Sequence, residues 1–179
     1  MKTHIKKLKE LHACREAVEW AGQFDTKQEA WDKCVRGDWM LWLLGKLSGD
    51  SDSDSRKELV TIACKCARLA LKYVPEGEKR PLKAIQTAEK WTHGKATLQQ
   101  VRDAAYDAAA AAAAYDAAAY AAAAAAYAAA AAAAAAAYAA YADAYAYAAA
   151  AAARKKILSQ CADIVRECYP DVDSLFKKG

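Results

Sequence analysis

At 179 residues the chain has room for one compact domain with a real core, but not for two large ones, and its net charge is a modest +4. The charge is spread unevenly: residues 1–97 carry 19 Lys/Arg against 14 Asp/Glu, residues 98–153 carry 1 against 4, and the remainder 6 against 4. That balance lacks the clustered basic stripe that neutralises a phosphate backbone, which argues against duplex nucleic acid as a partner and still admits a small phosphate ligand.

Along residues 2–21, Ile5, Leu8, Leu11 or His12, and Val18 recur at helical spacing, and Gly22 supplies a stop, so the spacing predicts a first amphipathic helix. Thr26 and Glu29 form a T-x-x-E capping box that should open a second helix running through Trp31 to about Val35. Gly37 breaks it, and Asp38 has the position and chemistry of an N-cap for the apolar run WMLWLLGKL. The polar, acidic SGDSDSDS (48–55) predicts a solvated loop before a fourth helix from about Ser55 to Tyr73, which Val74 and Pro75 end. Pro81 suits the first turn of a fifth helix reaching Trp91, and Gly94 closes it.

Thr97 and Gln100 make a second capping box, and from Leu98 the chain enters an alanine tract. Of the 50 residues from Ala104 to Ala153, 39 are alanine and the rest are tyrosine or aspartate. Alanine has the highest helix propensity, so the tract is predicted helical. An unbroken helix from Leu98 to Cys168 would exceed about 100 Å, several times a compact domain's span, so at least one turn is expected inside the tract. If the helix continues from 120 to 145, Tyr120, Tyr127, Tyr138, Tyr141 and Tyr145 fall in one narrow sector. Such a stripe packs as a core seam or lines a cleft for a planar or phosphorylated ligand. After Arg154, Ile157, Leu158, Cys161, Ile164 and Val165 restore amphipathic spacing, and DVDSLFKKG is expected to add a short turn docking Leu175 and Phe176.

The fold expected is therefore all-α: a single-domain bundle or array of about seven to eight helices. Residues 1–97 would be mixed amphipathic helices, 98–168 Ala/Tyr-rich helices and 169–179 a tail. The uncharged stretch Ala117–Ala142 is long enough to span a bilayer, but alanine contributes little insertion energy and its tyrosines are spread along it, so no membrane insertion is expected.

The chain opens with the basic run MKTHIKKLKE in place of a signal peptide, which predicts a reducing, cytoplasmic setting for its six cysteines. Cys64 and Cys66 should point to different helix faces, and no zinc-type spacing occurs, so free, buried thiols and no metal are expected. Cys161 and Cys168 share a face and are the pair placed to act together. The RGD string at Arg36–Asp38 reads as a helix break and cap. Trp39 and Trp42 share a face three residues apart, as core or as a binding hot spot. His4, His12 and His93 form no catalytic set, and no nucleophile elbow, phosphate-binding glycine loop or HExxH motif occurs, so the sequence makes no case for an enzyme or a cofactor.

The segments CVRGDWMLWLLGKL and ARLALKYVPEGEKRPLKAIQTAEKWTHGKATLQQVRDAAYDAAAAA, followed by Ala-rich helices, resemble the helical putative immunity protein family of bacterial and phage genomes over about residues 30–168. The order of a Trp-rich helix, a helix ending in a Tyr-Val-Pro turn, a Pro-initiated helix ending in Trp and an Ala-rich repeat carries the resemblance. It implies a non-enzymatic protein of the bacterial cytoplasm that binds and neutralises a toxin. The pure Ala/Tyr tract looks like a phage-borne version, which would block a host-defence effector instead. Two other readings stay open: a sponge for a nucleotide-like immune signal in the Ala/Tyr cleft, with Arg36, Arg102 and Arg154 as candidate phosphate partners, and a structural protein whose Ala faces self-associate into a homo-oligomer.

Overall fold

The computed structural model describes residues 2–50, 53–74, 76–114 and 151–176, and among them there is no strand. Among the described residues nine α-helices follow in chain order: α1 (Thr3–Glu10), α2 (Arg15–Ala21), α3 (Lys27–Lys33), α4 (Gly37–Leu47), α5 (Asp54–Arg68), α6 (Arg80–Thr92), α7 (Leu98–Ala114), α8 (Ala151–Cys168) and α9 (Asp173–Phe176), with a 3-10 turn at Leu71–Tyr73. The protein is all-α, as its patterning predicts. The turn expected inside the alanine tract lies outside the described residues.

The local start signals work as their chemistry requires. Thr26 Oγ1 accepts from Glu29 N at 3.0 Å, while the Glu29 carboxylate reaches back to Asp25 N at 3.3 Å. Thr97 and Gln100 reciprocate fully: Gln100 N donates to Thr97 Oγ1 at 3.2 Å and Thr97 N to Gln100 Oε1 at 2.8 Å. Replacing Thr97 by Ala leaves a first-turn amide of α7 without its acceptor, so we expect a loss of about 1 kcal/mol in chemical denaturation. Pro81 stands in the first turn of α6, where its missing amide breaks no helical bond. At the other end Gly94 has φ +69°, with Gly94 N bonded to Trp91 O and Lys95 N to Lys90 O, the paired bonds of a Schellman stop.

Three boundaries differ from the sequence expectation. The first helix is two. His12 takes φ +61°, with His12 N on Lys9 O and Ala13 N on Leu8 O, a second Schellman stop built on a non-glycine residue. Asp38 is not the N-cap of α4, because Arg36 occupies that position and Asp38 lies inside the first turn, its carboxylate drawn to the Arg36 guanidinium instead of to a backbone amide. The fourth predicted helix stops at Arg68, with Ser53 as its cap, and the residues up to Tyr73 form the separate 3-10 turn.

Helix α5 is the central element. One face sends Val60, Cys64 and Ala67 into a core with Ile85, Ala88 and Trp91 of α6 and Val101, Ala105 and Ala108 of α7. Alanines on α7 keep that helix close to α6, which is what a small side chain at a contact permits. The opposite face sends Leu59, Ile62 and Cys66 into a second core with Met40, Leu41 and Leu44 of α4 and Cys161, Ala162 and Val165 of α8. Cys64 and Cys66 thus serve opposite cores, as their spacing predicts. The partner of Cys161 is Cys66 across the helix interface and not Cys168: the hydrogen bond between those thiols, aided by burial, pushes the Cys161 thiol up.

The C-terminal segment closes over α3. Trp31 Nε1 donates to Tyr169 O at 2.8 Å, Gln28 bonds Pro170 O and Val172 N, and Arg166 Nη1 reaches Cys34 O at 2.5 Å. Leu175 is buried, as expected, whereas the side chain of Phe176 lies outside the described residues. Tyr169 Oη donates to Glu58 on α5, and burial together with that bond raises the phenol above its ordinary range.

Candidate functional site

Helices α1 and α2 form a short hairpin that packs on itself and meets α3 through a small core of Ile5, Ala21 and Ala30. Its ends are tied by Lys2 Nζ, which donates to Phe24 O at 2.7 Å and Gly22 O at 3.1 Å and pairs with Asp25 at 3.0 Å. Towards α4 the hairpin makes few contacts, chiefly the Trp20 ring against the Trp39 ring at 5.8 Å and Arg36 Nη1 to Glu16 Oε1 at 3.3 Å. The space left between hairpin and α4 is a groove of about 350 Å³. That volume is at the low end for a ligand site, roughly 300–1,000 Å³.

Four of the chain's five tryptophans, Trp20, Trp31, Trp39 and Trp42, line this groove. Trp31 belongs to the core, fully covered and hydrogen-bonded, while Trp20, Trp39 and Trp42 are half-buried. Trp39 is held in place from both sides. Arg36 lies over its ring with Cζ 4.2 Å from the centroid, and Trp20 packs against it. Its indole Nε1 is buried with no hydrogen-bond partner among the described residues. Leaving a donor so placed costs about 1–3 kcal/mol, and the neighbouring guanidinium, a donor itself, cannot relieve it. The ring therefore holds its position through stacking and apolar packing.

Arg36 is in turn fixed by Asp38. Its Nε and Nη2 donate to the two carboxylate oxygens at 2.8 and 2.6 Å, a bidentate pair in which the Asp38 side chain has no exposed surface. That hydrogen bonding raises the guanidinium above its already high range, so the charge is permanent. The RGD string is thus a structural device, with Gly37 pressed against α8 and its flanking charges locked to one another.

Among the predicted site residues, the structure places Trp39 and Trp42 in one wall, with Arg36 stacked over the Trp39 ring. Arg102 is exposed on α7, which packs on α6 and contributes nothing to the groove. Tyr120, Tyr127, Tyr138 and Tyr141 lie outside the described residues, as does the side chain of Arg154. The sequence reading missed the opposite wall, formed by His4, Lys7, Leu8, Cys14 and Trp20. Leu8 showed in the helical periodicity and Trp20 in its isolated bulk, but nothing local marks Cys14.

The thiols differ sharply in exposure. Burial pushes Cys34 up to about 11 and Cys64 up to about 12, so neither supplies thiolate near neutrality, whereas Cys14 is exposed at the groove edge. Brief alkylation of the native chain at pH 8 should therefore label Cys14 first and spare Cys34 and Cys64 until denaturant is added. Peptide mass spectrometry checks the order.

Among the described residues no cluster of His, Cys, Asp and Glu could hold a metal ion, and no helix is long and apolar enough to cross a membrane. The uncharged stretch 117–142 lies outside them. The model of a family described as Imm-5 like putative immunity protein matches residues 50–172, well over half of the chain. That span takes in α5 to α8, whereas the groove is built almost wholly from residues before it. No curated protein and no solved structure matches the chain significantly.

Proposed function

We propose that this chain, which belongs to the Imm-5 like putative immunity protein family, is a non-enzymatic binding protein that neutralises a protein toxin or host-defence effector through the tryptophan groove. Family membership supports an immunity-type role. The observation that carries the choice of surface is the groove itself: three half-buried tryptophans around an open apolar space, one of them stacked under Arg36. Tryptophan and arginine are the residues most enriched among those that dominate binding energy at interfaces, and half-buried rings held in place by packing need little further ordering on binding. The shared core of α5 to α8 would serve as scaffold, and the N-terminal walls would select the partner.

Affinity capture from the source host, followed by native mass spectrometry, should recover a protein effector in fixed stoichiometry. Co-expression should restore growth to cells carrying that effector. Recovery of a bound nucleotide with no protein partner would sink the reading. Two measurements localise the surface. Trp42→Ala should weaken capture about thirtyfold, the change that corresponds to a ~2 kcal/mol hot spot. A bound effector should also slow alkylation of Cys14, which lines the same groove.

A further inference from the structure

We propose that the exposed lysine face of α6, with the adjoining end of α5, is a second contact surface that draws in an acidic face of the protein effector. This rests on the immunity reading above and names the charge that the partner must carry. Residues 65–95 hold eight Lys/Arg against three Asp/Glu, a local excess that the whole-chain charge conceals. Two of the three acids are taken up within the face. Arg68 forks onto Glu89 at 2.8 and 2.7 Å, and Arg80 pairs with Glu78 at 2.5 Å, which leaves Glu76. Lys65, Lys79, Lys83, Lys90 and Lys95 are all exposed, and among the described residues none of them forms an ion pair.

These charges share one side of the molecule. Lys83 and Lys90 are about two turns apart, on the side of α6 turned away from Ile85, Ala88 and Trp91. The Arg68–Glu89 pair joins α5 to that helix, and Lys65 stands one turn before Arg68 on the exposed side of α5. Folding does not call for the grouping. Lys79 and Lys83 are like charges one turn apart, a spacing that weakens a helix, and no acid in the first turn of α6 offsets them. On the neighbouring α7, the exposed Asp103 accepts from Gln99 at 2.8 Å and reaches none of these lysines. Among the described residues the large exposed hydrophobics are Val35 and Tyr106, neither of them on α5 or α6. The lysines therefore act as point charges with no stacking ring or apolar anchor beside them. Such a face suits carboxylates on a folded protein better than single-stranded nucleic acid, which stacks on aromatic rings, or a bilayer, which takes up apolar side chains. Unlike the groove, it lies within the residues that the family model matches.

The test uses the full chain and the effector captured with it. Carbodiimide, which condenses an amine directly with a carboxylate, should couple Asp or Glu of the effector to Lys83 or Lys90, as read by peptide mass spectrometry. Lys83→Glu with Lys90→Glu should slow association about tenfold at low salt, with the gap closing as salt rises and dissociation little changed. Both positions are exposed, and circular dichroism checks that the variant folds. Lys155→Glu with Lys156→Glu changes the net charge equally on α8, which packs on the other face of α5, and should leave the rate within about twofold. An unchanged rate with Lys83→Glu and Lys90→Glu, equal slowing by both pairs, or coupling confined to other lysines would each overturn the proposal. So would binding of duplex DNA or of phosphatidylserine vesicles that Lys83→Glu with Lys90→Glu abolishes while effector association stays the same. Failure of the two readings is separable. If the α6 variant associates normally and Trp42→Ala still weakens capture, the lysine face falls and the immunity reading stands. If the unaltered chain neither captures an effector nor protects cells, the immunity reading falls, and this proposal with it.

Discussion

Replacing Gly37 by alanine should lower stability by about 3 kcal/mol or more, and the melting temperature by roughly 6–12 °C, in a thermal scan followed by circular dichroism. A β-carbon at that position would stand 2.4 Å from Cys161 Cβ, 2.7 Å from Ala162 N and 2.7 Å from Leu158 O. Two of those atoms are backbone of α8, which cannot rotate away, so relief requires α4 and α8 to separate along the interface that holds Met40, Leu41, Ala162 and Val165 together. Gly94→Ala makes the contrast. It meets nothing within 4 Å and carries only the conformational penalty of φ +69°, about 1 kcal/mol. Equal losses from the two substitutions would mean that the close approach of α4 to α8 does not set the cost. Since α4 also carries Trp39 and Trp42, Gly37→Ala should weaken partner capture in proportion to the displacement of that helix.

The contrast between these glycines mirrors what the chain discloses before folding is considered. Gly94, Pro81, Thr26 and Thr97 act on their own helix ends, within a few residues, so their roles are readable from spacing alone. Gly37 acts on a helix more than a hundred residues away, and its local neighbours suggest only a break. His12 is harder still, because a left-handed stop is normally the work of glycine, and no pattern announces a histidine in that role. Asp38 has the residue type of a cap, but the choice between a backbone amide and the Arg36 guanidinium is made by burial of the side chain, which spacing does not encode. The groove shares that character. Trp39 and Trp42 are legible as a shared face, whereas the wall across from them exists because a hairpin stops short of α4, a fact about packing rather than pattern.

The Arg36–Asp38 pair should show the second large effect. Arg36→Met is expected to destabilise the chain by about 3–5 kcal/mol, because it leaves a carboxylate with no exposed surface and without its counter-charge. Arg36→Met combined with Asp38→Leu should cost much less, since a buried ion pair replaced by apolar groups of similar size is often close to neutral. Chemical denaturation of the two single variants and the double variant gives the coupling directly, and additive losses would refute the pairing as the source of the penalty. The double variant also separates stability from recognition. It restores the fold while removing the guanidinium that lies 4.2 Å from the Trp39 ring and holds Glu16 of the hairpin. If Arg36 serves the groove as well as the core, the double variant should fold near the unaltered stability yet capture the effector more weakly, and its Trp39 ring should become more accessible to a fluorescence quencher. Unchanged capture would confine Arg36 to the interior and leave the tryptophans alone as the binding surface.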